Sequence, residues 1–152
     1  MLKILSIVPC PYVSGLQIMT LGFFERLSGR VRSHFLVTHW IDGEFSRRLD
    51  KLAIPYTHSW LGMFSRKLDY VNVRMTIHCL SKLPILFWDF LRLIRSYNPD
   101  VIYMANYHEL ILLGPMLLPL RIPVVYHVHN PLPTGPFYRL TFLFWGAVVN
   151  HY

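Results

Sequence analysis

Acidic residues, cysteines and long uninterrupted apolar runs are all scarce in this chain. Of 152 residues, eight are Asp or Glu against fifteen Lys or Arg, a net charge of +7. Glu25, Glu44 and Glu109 are the only glutamates, so chemistry that needs two carboxylates acting as acid and base is poorly supplied. No acid lies between Asp50 and Asp69, and none follows Glu109. An excess of cations favours anionic partners: phosphates, nucleic acid or an acidic membrane surface. Cys10 and Cys79 form neither a disulfide framework nor a Cys-x-x-Cys site, which reads as a reducing, cytoplasmic setting. The stretch Leu110 to Leu120 is apolar for eleven residues but holds Pro115 and Pro119. A spanning helix needs roughly 20 apolar residues, so no integral membrane helix is expected. The first nine residues have too short an apolar stretch for a signal peptide, and no small-x-small cleavage site follows. Also missing are the dinucleotide fingerprint G-x-G-x-x-G, the hydrolase elbow G-x-S-x-G and a Walker loop, which leaves fingerprint NAD binding, serine hydrolysis and P-loop chemistry without support.

What the chain does have is apolar surface to bury. Apolar residues make up 53% and charged residues 15%, with mean hydropathy +0.35. That balance excludes disorder for most of the chain, and the length suits one domain. Apolar spacing alternates between short runs and helical periods. Lys3 to Val8 reads as a buried strand ended by Pro9 and Pro11. Leu16, Met19, Phe23 and Leu27 mark a helix capped by Ser14, with Gly29 just beyond it. Strands follow at His34 to His39 and Ile54 to Thr57, on either side of a short basic helix, Phe45 to Leu52, with Arg47, Arg48 and Lys51 on its wet side. Leu68 to Tyr97 carries a long helical pattern that Pro84 should kink or split. Then come a strand at Val101 to Met104, a helix near His108 to Leu118, a strand at Pro123 to Val128 and a helix at Phe137 to Gly146. Val148 onward resembles the start of another strand, so the chain reads as cut short. Alternation of strand and helix predicts an α/β fold: a Rossmann-like, mainly parallel sheet with helices on both faces.

Ligands of open α/β sheets sit beyond the carboxyl ends of the strands, and three segments occupy that edge. In the first, Gly15 and Gln17 open a helix; a glycine there lets backbone amides approach an anion, or it simply makes a tight turn. In the second, Asn106 and His108 lie where a strand turns into a helix. They either hydrogen-bond a hydroxyl-rich ligand or, for Asn106, cap the next helix. In the third, His127 and His129 are two apart on a strand and so share a face. The pair invites zinc, but no cysteine is near. His129 at the strand end is better placed as a polar site residue acting on a hydroxyl or phosphate, or as a loop brace. A further segment, Trp60 to Lys67, sets Trp60, Leu61, Met63 and Phe64 beside Arg66 and Lys67. It suits a loop packed on the core, an anionic membrane surface contacted by Trp60, Phe64, Arg66 and Lys67, or single-stranded nucleic acid.

Several of these segments occur in a familiar order: Lys3-Ile4-Leu5-Ser6-Ile7-Val8-Pro9, Gly15-Leu16-Gln17, Ser96-Tyr97-Asn98-Pro99-Asp100-Val101-Ile102-Tyr103 and Ile122 to Asn130. The order resembles the N-terminal domain of family 4 retaining glycosyltransferases, which have the two-domain GT-B fold. The resemblance covers nearly all of residues 1–152. It implies that Gly15 and Gln17 line the cleft, that His129 is the catalytic histidine near the transferred sugar, and that Asn106 is a polar position on the same cleft edge; the residue reading adds His108 beside it as substrate-binding. The family's loop often has two adjacent glycines, whereas here Leu16 follows Gly15. The family's second domain grips the nucleotide sugar with a Glu-x7-Glu motif; here successive glutamates are 19 and 65 residues apart. The expectation is therefore an acceptor-side half, inactive alone, with no metal and no cofactor beyond the nucleotide-sugar donor. Its expected partners are a cell-surface polysaccharide or lipid-linked acceptor, an anionic membrane surface and a separate C-terminal half, not nucleic acid. Its place would be cytoplasmic, peripheral on the inner membrane face. The alternative is a non-catalytic Rossmann-like binding or membrane-docking module.

Overall fold

A computed structural model describes residues 1–9, 13–39, 43–62, 70–105 and 107–127. In chain order these form β1 (Leu2–Val8), α1 (Gly15–Arg26), β2 (Val31–Thr38), α2 (Glu44–Lys51), β3 (Tyr56–Ser59), α3 (Tyr70–Ser81), α4 (Leu83–Tyr97), β4 (Val101–Met104), α5 (Tyr107–Leu117) and β5 (Val124–Tyr126). A 3-10 turn, Leu118–Leu120, precedes β5. Every strand pair is parallel, in the order β3-β2-β1-β4-β5. This is the Rossmann-like α/β architecture expected from the alternation.

Both faces of the sheet are covered. On one, Leu5 and Ile7 of β1 join Leu36, Ile102 and Met104 beneath Leu86, Phe90 and Leu93 of α4 and Leu113 and Leu117 of α5. On the other, Ile4 and Val8 join Phe35, Val37 and Tyr103 beneath Leu21 and Phe24 of α1 and Phe45 and Leu49 of α2. Burial on both faces is why these strands read as near-continuous apolar runs. Arg47, Arg48 and Lys51 stay on the wet side of α2.

Boundaries move where the sheet overrides local pattern. β2 begins at Val31, three residues before His34, because Val31 lies opposite Leu2 of β1. β3 runs Tyr56–Ser59 instead of Ile54 to Thr57: Pro55 has no N–H for the ladder and serves only as acceptor for Phe35 N–H at 3.0 Å. The long helical pattern splits at Lys82, with Pro84 in the first turn of α4, where its missing N–H costs nothing. The segment between α4 and β4 is a built corner. Asn98 caps α4 at φ +50°, and Asp100 takes the Lys3 N–H on its carboxylate at 2.7 Å. The Tyr97 hydroxyl donates to the Arg32 carbonyl at 2.6 Å. The expected helix Phe137 to Gly146 and the strand after it lie outside the described residues.

Candidate functional site

The strand order reverses between β1 and β4, and that switch point is where open α/β sheets hold ligands. The loops after β1 and β4 flank it. Ser14 is the N-cap of α1, and Gly15 is the first helical residue. A Cβ built on Gly15 meets nothing within 4 Å, so the space beside this helix start is open. Gln17 is 2% exposed, and its Oε1 accepts the Ser14 N–H at 3.1 Å and the Ser14 hydroxyl as well. The Ser-x-x-Gln arrangement is a capping box, and it turns the Gln17 amide back onto α1's own start.

Across the switch point lies a polar group that sequence reading did not single out. Tyr103 of β4 stacks on Phe23 and meets Phe24 edge-on, which points its ring at α1. Its hydroxyl is 2.8 Å from His127 Nδ1 at the end of β5 and is hydrogen-bonded to Thr20. Burial, opposed by the Thr20 bond and aided by the charge of Glu109, raises the phenol's pKa. The phenol stays protonated, and the direction of its bond to Nδ1 follows the His127 tautomer. Glu109 is 1% exposed, and its carboxylate accepts the Ala105 N–H at 3.2 Å, closing the β4–α5 turn. A carboxylate in the first turn of α5 also complements the helix dipole. Two signals mark these residues in the sequence: a lone tyrosine tip in the apolar run Val101–Met104, and one acid in the largely apolar helix Tyr107–Leu117.

The other expected site residues are placed as follows. His108 is the second residue of α5. Asn106 and His129 lie outside the described residues. Of the two histidines at residues 127 and 129, His127 has one ring nitrogen engaged by Tyr103; among the described residues there is no group of three His, Cys, Asp or Glu side chains that could hold a metal ion.

Of the Trp60 segment, Leu61 packs into the core and Trp60 packs partly against neighbouring rings. Leu61 is fully buried in the core, and its carbonyl accepts the Thr38 hydroxyl, so it belongs to no exposed patch. Trp60 is half-buried, 5.7 Å from His78 and 5.2 Å from His39 between ring centroids, with Lys82 Nζ 5.1 Å above its ring. It packs under the α3–α4 junction because β3 delivers it there. Met63, Phe64, Arg66 and Lys67 lie outside the described residues. No helix among the described residues is long and apolar enough to cross a membrane.

No protein-family model matches the chain, and no curated protein is significantly similar to it. Solved structures do match. The chain is similar to MurG from Acinetobacter baumannii, with TM-score 0.64 and 16% identity over 93% of this chain and 39% of that one. HepE from Anabaena, solved in complex with UDP and glucose, gives TM-score 0.59 and 18% identity over 100% of this chain and 36% of that one. A glycosyltransferase from Rickettsia africae gives TM-score 0.58 and 14% identity over 93% of this chain and 33% of that one. This chain thus spans well under half the length of the proteins it matches, and at such identities the likeness is one of fold.

Proposed function

We propose that this chain is the acceptor-side unit of a retaining glycosyltransferase of the family 4 kind, moving a sugar from a nucleotide-sugar donor to a cell-surface polysaccharide or lipid-linked acceptor. The observation that carries the reading is the likeness to HepE over the whole chain, in a structure holding UDP and glucose. In this reading the open space beside Gly15 admits the anionic part of the donor to the amides at the start of α1. Gln17 acts indirectly, by holding that helix start in shape. His129 serves as the catalytic group near the transferred sugar. Asn106 and His108 meet hydroxyls from the β4–α5 turn. A second unit grips the nucleotide, and the complex works in the cytoplasm, peripheral on the inner membrane face, against anionic lipid.

The test is transfer from a panel of UDP-sugars by the 152 residues alone and after addition of a donor-gripping unit. Transfer only in the second case is expected. Robust turnover by this chain alone would overturn the division of labour. The second reading, a non-catalytic binding module, is favoured by one observation: Gln17, Tyr103 and Glu109 are all engaged within the fold. Calorimetry with the donor-gripping unit added separates the two, because a sugar-transferring pair has Gly15-dependent affinity for UDP-glucose and an unrelated module leaves that affinity unchanged.

A further inference from the structure

The outer surface of the α3–α4 pair is apolar where a helix face normally is not. Val73, Ile77 and Leu80 recur at helical spacing along α3 and are exposed, Ile77 to 62%. Ile85 and Trp88 continue the exposure on α4, Trp88 to 67%. Residues 85, 88, 92 and 95 follow one helical stripe, so Ile85 and Trp88 run into Arg92 and Arg95, both exposed. Lys82 forms the junction between the helices. The two helices and their junction carry Arg74, Lys82, Arg92 and Arg95 against one acid, Asp89, and the Asp89 carboxylate is turned inward to the Ser59 hydroxyl at 3.0 Å. A concavity of about 340 Å³ on α3 sets Val73 and Ile77 beside Arg74, His78 and Ser81, apolar walls with a cationic rim.

Large exposed apolar side chains rimmed by cations, with the one acid facing away, complement a surface that is anionic outside and apolar just beneath. A second copy of this chain would bring one cationic rim against another. We infer that the α3–α4 face is a docking surface for an anionic lipid bilayer, with Ile77, Leu80, Ile85 and Trp88 inserting shallowly and Arg74, Arg92 and Arg95 meeting headgroup phosphates. Trp60 is not one of the anchors; it props the junction from below through His78 and Lys82. The inference rests on the peripheral-membrane part of the reading above but not on sugar transfer, and it moves the contact from the Trp60 loop to the helices.

The experiment is co-sedimentation of the full chain with vesicles of phosphatidylcholine plus phosphatidylglycerol, and with phosphatidylcholine alone, at rising salt. Binding to the anionic vesicles only, weakened by salt, is expected. Ile77→Ser with Trp88→Ser, and separately Arg92→Glu with Arg95→Glu, should each lower vesicle affinity about tenfold or more. Arg47→Glu with Lys51→Glu on α2 should leave it within about twofold. All six positions are exposed, and circular dichroism confirms that each variant folds. Equal binding to neutral vesicles, or binding to neither, overturns the proposal. So does loss of binding in Arg66→Glu with Lys67→Glu while both helix variants bind normally, an outcome that keeps the membrane reading and removes this face. Self-association without vesicles that Ile77→Ser with Trp88→Ser abolishes would assign the face to a second copy instead.

Discussion

Gly62 has no room for a side chain. A Cβ there would collide with Cys79 Sγ and lie 2.8 Å from Cys79 Cβ, so the chain leaving β3 presses its backbone directly onto α3. Gly62→Ala should destabilise the fold by about 1–3 kcal/mol through overpacking, measured by urea denaturation. Cys79→Ala in the same chain should recover part of that loss, because it removes the sulfur that the new methyl strikes. Asn98 presents the opposite problem, a side chain in the left-handed region at φ +50°. Asn98→Gly should leave stability nearly unchanged, while Asn98→Val should cost about 1–2 kcal/mol, again by denaturation. Neither cost is visible from residue type alone, since glycine and asparagine are ordinary loop residues until a contact or a dihedral makes them necessary.

At the scale of elements, β3 is bonded to its neighbours through groups that titrate. It is a four-residue strand paired with β2 alone. His34 Nε2 of β2 is 2.8 Å from the Thr57 hydroxyl, and His58 Nε2 of β3 is 3.0 Å from the Ser46 hydroxyl of α2. Burial holds the His34 pKa below its ordinary 6.5. Burial and the neighbouring His39, opposed by Asp50, do the same for His58. Both imidazoles thus take up protons more readily in the unfolded chain. Their contribution is complete above the ordinary value and is lost as pH falls from there through the lowered folded values. The melting temperature should therefore be lower at about pH 5.5 than at about pH 7.5, and His34→Gln with His58→Gln should narrow the difference. A melting temperature indifferent to pH across that window would exclude this linkage. The α3–α4 boundary was legible from Pro84, since proline's missing N–H is a local fact. The β3 boundary was not, since it depends on which residues of β2 lie opposite.

For the whole molecule, the reading as half of a sugar transferase makes one demand on kinetics. In the complete enzyme His129→Ala should lower kcat by on the order of 10²-fold or more, as expected for a group acting in the transition state, measured by initial rates at saturating donor. An unchanged kcat would reduce His129 to a loop brace. Tyr103→Phe is the companion variant. If the phenol only fills space, kcat and its pH profile stay as they were; if it orients His127 at the end of β5, the profile moves although the removed hydroxyl is buried.

Alternating apolar strands and amphipathic helices, the Ser14 cap, the Pro84 break and the parallel α/β class all followed from the sequence. Each rests on spacing or backbone chemistry within a few residues, and short-range pattern is enough to decide which face of an element must be buried. The candidate site was legible only as an edge. Gly15 and Gln17 lie in the first turn of α1 at that edge, and the Gln17 amide closes its own helix. The Tyr103–His127 pair spans 24 residues and exists because β4 and β5 become neighbours. Tertiary structure alone decided that Leu61 is core, that Trp60 props a junction, and that Ile77 and Trp88 face outward. Apolar side chains look alike in a sequence, and only packing selects which of them have nothing left to cover.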